Sequence, residues 1–127
     1  MRTSLADLPL QEFAFLNPLV DAEMGAYPLS CGICEERGRR RYDFDNSERR
    51  EGGRRFALLQ CTLAGEGRFA TVGDGQTRAL GPGQAFLVTA PGPTRYWLPP
   101  QRTWFFAYLL YAGEMALWQT ERVLERA

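Results

Sequence analysis

The sequence predicts an all-β barrel or jelly roll, preceded by an N-terminal arm and followed by a single helix. Three observations carry this. Short apolar runs recur from Phe56 onward, each closed by a glycine or proline cluster: "GDG" at 73–75, "GPG" at 81–83 and "PGP" at 91–93. Such runs at regular spacing are the mark of sheets folded on themselves rather than of βαβ units. After Gly113 the punctuation stops, and "EMALWQTERVLERA" has neither glycine nor proline.

Residues 1–27 read as the arm. Its "EFAFLNPLV" is apolar but broken by Pro18, so it is expected to lie against the barrel or to reach a partner subunit. A first strand follows over Pro28 to Glu35. In the next stretch Arg40, Tyr42 and Phe44 alternate with Arg41, Asp43 and Asp45, and the pattern breaks at Asn46-Ser47 and Gly52-Gly53. That is a strand followed by a charged loop. "FALLQCTLAG" is a mostly apolar strand, "RFATV" and "QTRAL" form a hairpin around "GDG", and "AFLVT", "TRYWL" and "WFFAYLLY" supply the remaining strands. From Glu114, Leu117, Glu121 and Leu124 share one helical face, with Met115 and Trp118 beside it. The helix meets no glycine or proline stop, which predicts that the native chain continues past Ala127.

The totals exclude several function classes. At 127 residues and 45% hydrophobic, the chain fits one globular domain. Fifteen basic residues, all arginine, balance fifteen acids, so net charge gives no reason to expect nucleic acid on this chain. Eight arginines crowd into residues 35–55, but six acids interleave with them, which reads as a solvated surface. Three cysteines make no disulfide framework. Cys31 and Cys34 lie roughly 10 Å apart on opposite faces of an extended segment, and buried thiols in a reducing cytoplasm are expected. No apolar run approaches the ~20 residues of a membrane span, so a soluble cytoplasmic protein without a membrane partner is expected. There is no histidine, which removes imidazole-based nucleophilic catalysis and leaves no metal site and no cofactor to expect.

The segment "LGPGQAFLVTAPGPTRYWLPP" (80–100), preceded by "TLAGEGRF", resembles the cupin barrel at the N-terminus of AraC/XylS-type transcription regulators. The likeness rests on an Ala-Gly-x-Gly turn, a hairpin, an "L-x-P-G-x-A-F-L" run and then "P-G-x-x-R-Y", and it covers about residues 28–111. Gln84 departs from the family's frequent Asp at a turn, and Thr94 from its frequent His. The resemblance implies a cupin-like double-stranded β-helix over 28–112 that senses a small molecule, and a helix starting within 113–127 that pairs two subunits. DNA would be bound only by a C-terminal domain outside this chain. Without the histidines that metal-dependent cupins need, a metal-free interior is implied.

If Thr94 takes the inward histidine position, alternation turns Tyr96 and Leu98 inward as well. The matching inward sets are Trp104, Phe106, Tyr108 and Leu110 on one strand, and Leu58, Gln60, Thr62 and Ala64 on another. The expected ligand contacts are Thr94, Tyr96, Tyr108, Phe106, Gln60 and Thr62, in a pocket with no fixed charge. Such a lining suits an apolar or aromatic effector, more than a free sugar, oriented by a few hydrogen bonds. Aromatics at these positions also fit a plainly filled core. A homodimer is expected through Leu117, Trp118 and Leu124, with no catalytic residue assigned. The alternative is a free-standing metal-free cupin enzyme, an isomerase or lyase, with Glu66 read as a water-facing turn residue rather than an acid or base.

Overall fold

The computed structural model describes residues 9–14 and 25–126. The apolar positions 15, 16, 19 and 20 of the expected arm lie outside the described residues, as does Ala127. Nine strands and one helix follow in order: β1 (Gln11–Ala14), β2 (Tyr27–Glu36), β3 (Asp43–Asp45), β4 (Phe56–Gly65), β5 (Gly67–Thr71), β6 (Thr77–Leu80), β7 (Ala85–Ala90), β8 (Thr94–Trp97), β9 (Trp104–Ala112) and α1 (Glu114–Glu125).

The strands form two antiparallel sheets in the orders β1-β2-β9-β4-β7 and β3-β8-β5-β6. From β2 to β9 the chain passes between the sheets so that early and late strands become neighbours. That is the double Greek key of a jelly roll, the architecture of cupin barrels. β1 adds to the outer edge of β2, with Phe13 opposite Cys31.

Alternation places the core as the sequence indicates. On β4, Leu58, Gln60 and Thr62 are buried, while Leu59 between them faces out. A bulge between Thr62 and Ala64 then shifts the register, so Ala64 leaves the buried series. On β9, Trp104, Phe106 and Leu110 are buried and Leu109 is not. Gly67 faces a large ring of the other sheet and must be glycine: a Cβ there would stand 2.3 Å from the Trp104 indole. The indole N–H is satisfied by Thr62 Oγ1 at 2.8 Å, and the Thr62 hydroxyl donates to the Leu80 carbonyl at 3.2 Å.

The turns follow their residues. Gly73, Gly75 and Gly83 have φ of 99°, 69° and 82°, the left-handed region that favours glycine. Gln84 Oε1 accepts from the Gly81 N–H at 2.8 Å, consistent with a turn role. Glu66 is half-buried rather than fully water-facing: its Oε2 is buried and lies between Arg68 at 2.8 Å and Arg102 at 3.7 Å.

The helix α1 lies on the outer face of the five-stranded sheet, against β7, β4 and β9. Leu117 and Thr120 are buried there. Arg55 pairs with Glu121, and the Tyr111 and Thr120 hydroxyls meet at 2.5 Å.

Candidate functional site

The barrel opens between its sheets into a cavity of about 180 Å³. Its walls are aromatic because the inward positions of β8, β9 and the approach to β3 are aromatic. Tyr96 stacks on Phe44 with ring centroids 5.1 Å apart and meets Phe86 at 4.8 Å. Tyr42 packs edge-on to Trp104 at 5.9 Å and lies 5.7 Å from Phe106. Burial pushes the Tyr42 phenol far above its ordinary value. Gln60 Nε2 donates to the Tyr42 oxygen at 3.4 Å.

The cavity differs from the expected uncharged pocket. Two guanidiniums and three carboxylates reach it: Arg40, Arg49, Glu12, Glu36 and Glu51. Four of them come from the stretch that alternating signs mark as a solvated surface. The physical reason is β3. Its three residues pair with β8, and Asn46 continues the contact: Asn46 N–H donates to the Thr94 carbonyl, and Gly92 N–H to the Asn46 carbonyl, both at 2.9 Å. This pins the following loop over the barrel mouth and turns Arg49 inward.

Arg49 is only 18% exposed. Its guanidinium carbon lies 4.4 Å from the Phe44 ring centroid and 5.0 Å from that of Phe56. Nη1 donates to the Tyr96 hydroxyl at 2.6 Å and to Asn46 Oδ1 at 3.2 Å, and Nη2 stands 3.6 Å from Glu51. Burial raises the Tyr96 phenol, and the adjacent guanidinium partly offsets that by favouring the phenolate. Glu36, itself buried, takes both its hydrogen bonds from Arg40. On β1, Glu12 accepts from Cys34 Sγ at 2.8 Å and from the Tyr108 hydroxyl at 3.4 Å. Burial first, and the Glu12 carboxylate second, push the Cys34 thiol up to about 12. Cys31, Cys34 and Cys61 are all free thiols.

Of the six expected contact residues, the fold brings Tyr96, Tyr108, Phe106 and Gln60 to the cavity. Thr62 is directed instead to Trp104 and Leu80. Thr94 holds Asn46 Nδ2 at 3.0 Å and lies behind the lining. Tyr42, Phe44, Glu12, Glu36 and Arg49 are lining residues not expected from the sequence. For Tyr42 and Phe44 the signal was present in the alternation, which puts both on one face with Asn46. No local signal marks Arg49.

Arg95 forks onto Asp43 at 2.8 and 2.6 Å and lies 4.3 Å from the Trp97 ring. Among the described residues no three His, Cys, Asp or Glu side chains converge as metal ligands. No described helix is long and apolar enough to cross a membrane.

A family model described as the AraC-like ligand binding domain matches residues 38–126. The chain belongs to that family. The match takes in the β3 loop, the strands from β3 to β9 and α1. Among solved structures the chain is similar to a cupin protein from Bacteroides fragilis, with 16% identity over 89% of this chain and 83% of that one and a TM-score of 0.48. No curated protein matches. In this AraC-like ligand binding domain, the cavity between the sheets is the candidate site.

Proposed function

We propose that this chain is the effector-sensing, dimerising domain of an AraC-type transcription regulator, acting in the cytoplasm. DNA contact belongs to a C-terminal domain not among these residues. The observation that carries the reading is a preformed aromatic cavity, built from both sheets of a domain whose family is defined by ligand binding. The effector is a small molecule with an aromatic or apolar body, smaller than drug-sized compounds. Tyr42, Phe44, Tyr96 and Phe106 pack against its faces, and Gln60, Tyr108 and the free edge of Arg49 orient its polar groups.

The domain binds rather than catalyses. Glu36 and Glu51 face the cavity already paired with Arg40 and Arg49, so their oxygens are engaged within the wall rather than aimed at a bound molecule. β9 supports a path for the signal. It carries Phe106 and Tyr108 to the cavity on one face and Tyr111 to Thr120 of α1 on the other. β1 brings Glu12 to the same cavity from the arm. An effector that favours one placement of β1 or α1 shifts the population that a tethered domain reads.

The test is a thermal-shift screen of the 127-residue chain against aromatic acids, aromatic amines and neutral phenols, followed by calorimetry on the hits. At least one class is expected to raise the melting temperature. Tyr96→Phe and Gln60→Leu are each expected to weaken that compound about tenfold, the size of one hydrogen bond. Thr94→Val is expected to weaken it less, because Thr94 acts through Asn46 and Arg49. A screen with no stabilising compound, or unchanged affinity in both Tyr96→Phe and Gln60→Leu, would refute the reading.

A further inference from the structure

The hydrogen-bonding groups on the cavity wall are unevenly spent. Arg49 Nη1 gives its hydrogens to the Tyr96 hydroxyl and to Asn46, whereas Nη2 and Nε make no hydrogen bond among the described residues. The ion-pair partner Glu51 stands 3.6 Å from Nη2, beyond hydrogen-bond reach, and is itself half-exposed. Tyr96 and Tyr42 each accept a bond, from Arg49 and from Gln60, but neither phenolic hydrogen has an acceptor among the described residues. The two rings are in edge contact, with centroids 6.0 Å apart. Unspent donors of Arg49, Tyr96 and Tyr42 therefore belong to one connected part of the lining. A buried donor without a partner costs free energy, which a ligand acceptor recovers.

The acceptors on the wall are in the opposite state. Glu36 takes its bonds from Arg40, and Glu12 takes its own from Cys34 and Tyr108. The ring faces that could hold a ligand cation are also occupied, since the Arg49 guanidinium carbon lies 4.4 Å from the Phe44 centroid and 5.8 Å from that of Tyr96. A second cation there would meet the first at close range and be repelled. An anion meets favourable conditions. Burying a carboxylate is costly unless a charge and hydrogen bonds compensate it. A guanidinium with free N–H groups and two phenolic hydrogens supply both. Volume sets the body of the molecule. An apolar cavity of about 150 Å³ accepts benzene. The cavity here, about 180 Å³, has room for one ring and a small substituent but not for a fused pair of rings.

Granting that the domain senses a small molecule in this cavity, we infer that its effector is a single-ring aromatic carboxylate. Arg49, Tyr96 and Tyr42 hold the carboxylate, and the ring lies among Phe44, Phe106 and Leu58. Arg49 is thereby the residue that sets the charge of the ligand, and the cavity volume sets its ring count.

Calorimetric titration of the 127-residue chain compares benzoate with probes that each change one property. Benzamide keeps the shape without the charge, benzylamine carries the opposite charge, and 2-naphthoate adds a fused ring. Benzoate is expected to bind, benzamide and 2-naphthoate to bind at least tenfold more weakly, and benzylamine to give no binding heat. Arg49→Gln is expected to abolish the difference between benzoate and benzamide. Should that variant fail to fold, Arg49→Lys decides, since it keeps the charge, loses the fork and is expected to weaken benzoate about tenfold. Arg122→Gln removes a positive charge on α1, outside the cavity, and is expected to leave benzoate affinity unchanged. Benzamide, benzylamine or 2-naphthoate binding as tightly as benzoate overturns the inference. So does a benzoate affinity unmoved in the Arg49 variant, or lowered as much in Arg122→Gln. A chain that ignores benzoate but is stabilised by an aromatic amine or neutral phenol overturns it too, while the sensing reading stands. Stabilisation by no class of compound removes both.

Discussion

Replacing Arg49 by alanine is expected to loosen the whole barrel mouth. The side chain makes a charge-assisted bond to Tyr96 at 2.6 Å and another to Asn46 at 3.2 Å, and both partners are buried. Hydrogen bonds to a charged group contribute about 1.5–3 kcal/mol, and a buried hydroxyl left without its donor carries a desolvation penalty of about 1–3 kcal/mol. Contacts with the Phe44 and Phe56 rings add about 0.5–1 kcal/mol each at partial exposure. Removing the guanidinium also relieves its own desolvation, which subtracts from the sum. The net expectation is a loss of about 3 kcal/mol, or roughly 10–15 °C in melting temperature for a domain of this size. Urea denaturation with unchanged m reads the first figure and calorimetry the second.

A second measurement separates this network from a generic packing loss. Arg49 pulls the Tyr96 phenol down against the upward push of burial. In Arg49→Ala the phenol is therefore expected to titrate still higher, visible in the ultraviolet absorbance of phenolate. Arg49→Lys is expected to restore part of the shift and little of the stacking. A stability loss under about 1 kcal/mol, or a Tyr96 phenol that moves down, would refute the reasoning.

Gly67→Ala drives a methyl into the Trp104 ring and is expected to cost about 3 kcal/mol or abolish soluble expression; a urea midpoint near that of the wild type would contradict the close approach. Thr62→Val strands the buried Trp104 N–H and is expected to lose about 1–3 kcal/mol, while Thr62→Ser stays near wild type, both read by urea denaturation. At alkaline pH the sign follows from Cys34, raised from 9.0 to about 12, and from Tyr42 and Tyr96, raised by burial. Above pH 9 the folded chain holds protons that the unfolded chain releases. Stability is therefore full below that pH and falls as it rises toward 12, and Cys34→Ala is expected to flatten the early part of the fall in urea midpoints measured at stepwise pH.

The barrel was legible because its information is local. Period-two alternation on β4, β8 and β9 picks out Leu58, Gln60, Tyr96 and Phe106 as inward, and glycine clusters mark turns whose dihedrals need glycine. The bulge after Thr62 was not legible, since a one-residue insertion leaves no trace in composition, and it ends the inward series before Ala64. The charged lining was not legible for a different reason. Interleaved arginines and acids look alike whether they face water or one another over a cavity, and only the pairing of β3 with β8 decides which. Leu117 shows the same limit on a helix: an apolar stripe states that a face is covered, and here the barrel of the same chain covers it.

Thr94 connects these two levels. It stands where the family resemblance places histidine, and by parity alone it belongs with Tyr96 as an inward contact. In the fold its hydroxyl holds Asn46, Asn46 holds Arg49, and Arg49 holds the Tyr96 phenol, so three hydrogen bonds lead from the strand entrance to the cavity wall. Where the resemblance expects histidine, this chain has a short hydroxyl that positions a guanidinium through Asn46. A metal would offer an open coordination site for chemistry. A fixed cation held by one phenol and ringed by aromatic faces offers instead a directional, reversible contact, which suits recognition of an effector rather than its conversion. Thr94→Ser should therefore preserve the relay and Thr94→Val break it. The expected signature is a higher-titrating Tyr96 phenol in Thr94→Val alone, as Arg49 loses its alignment. Equal titration in the two variants would mean that Arg49 is held without Asn46 and that Thr94 is merely a strand residue.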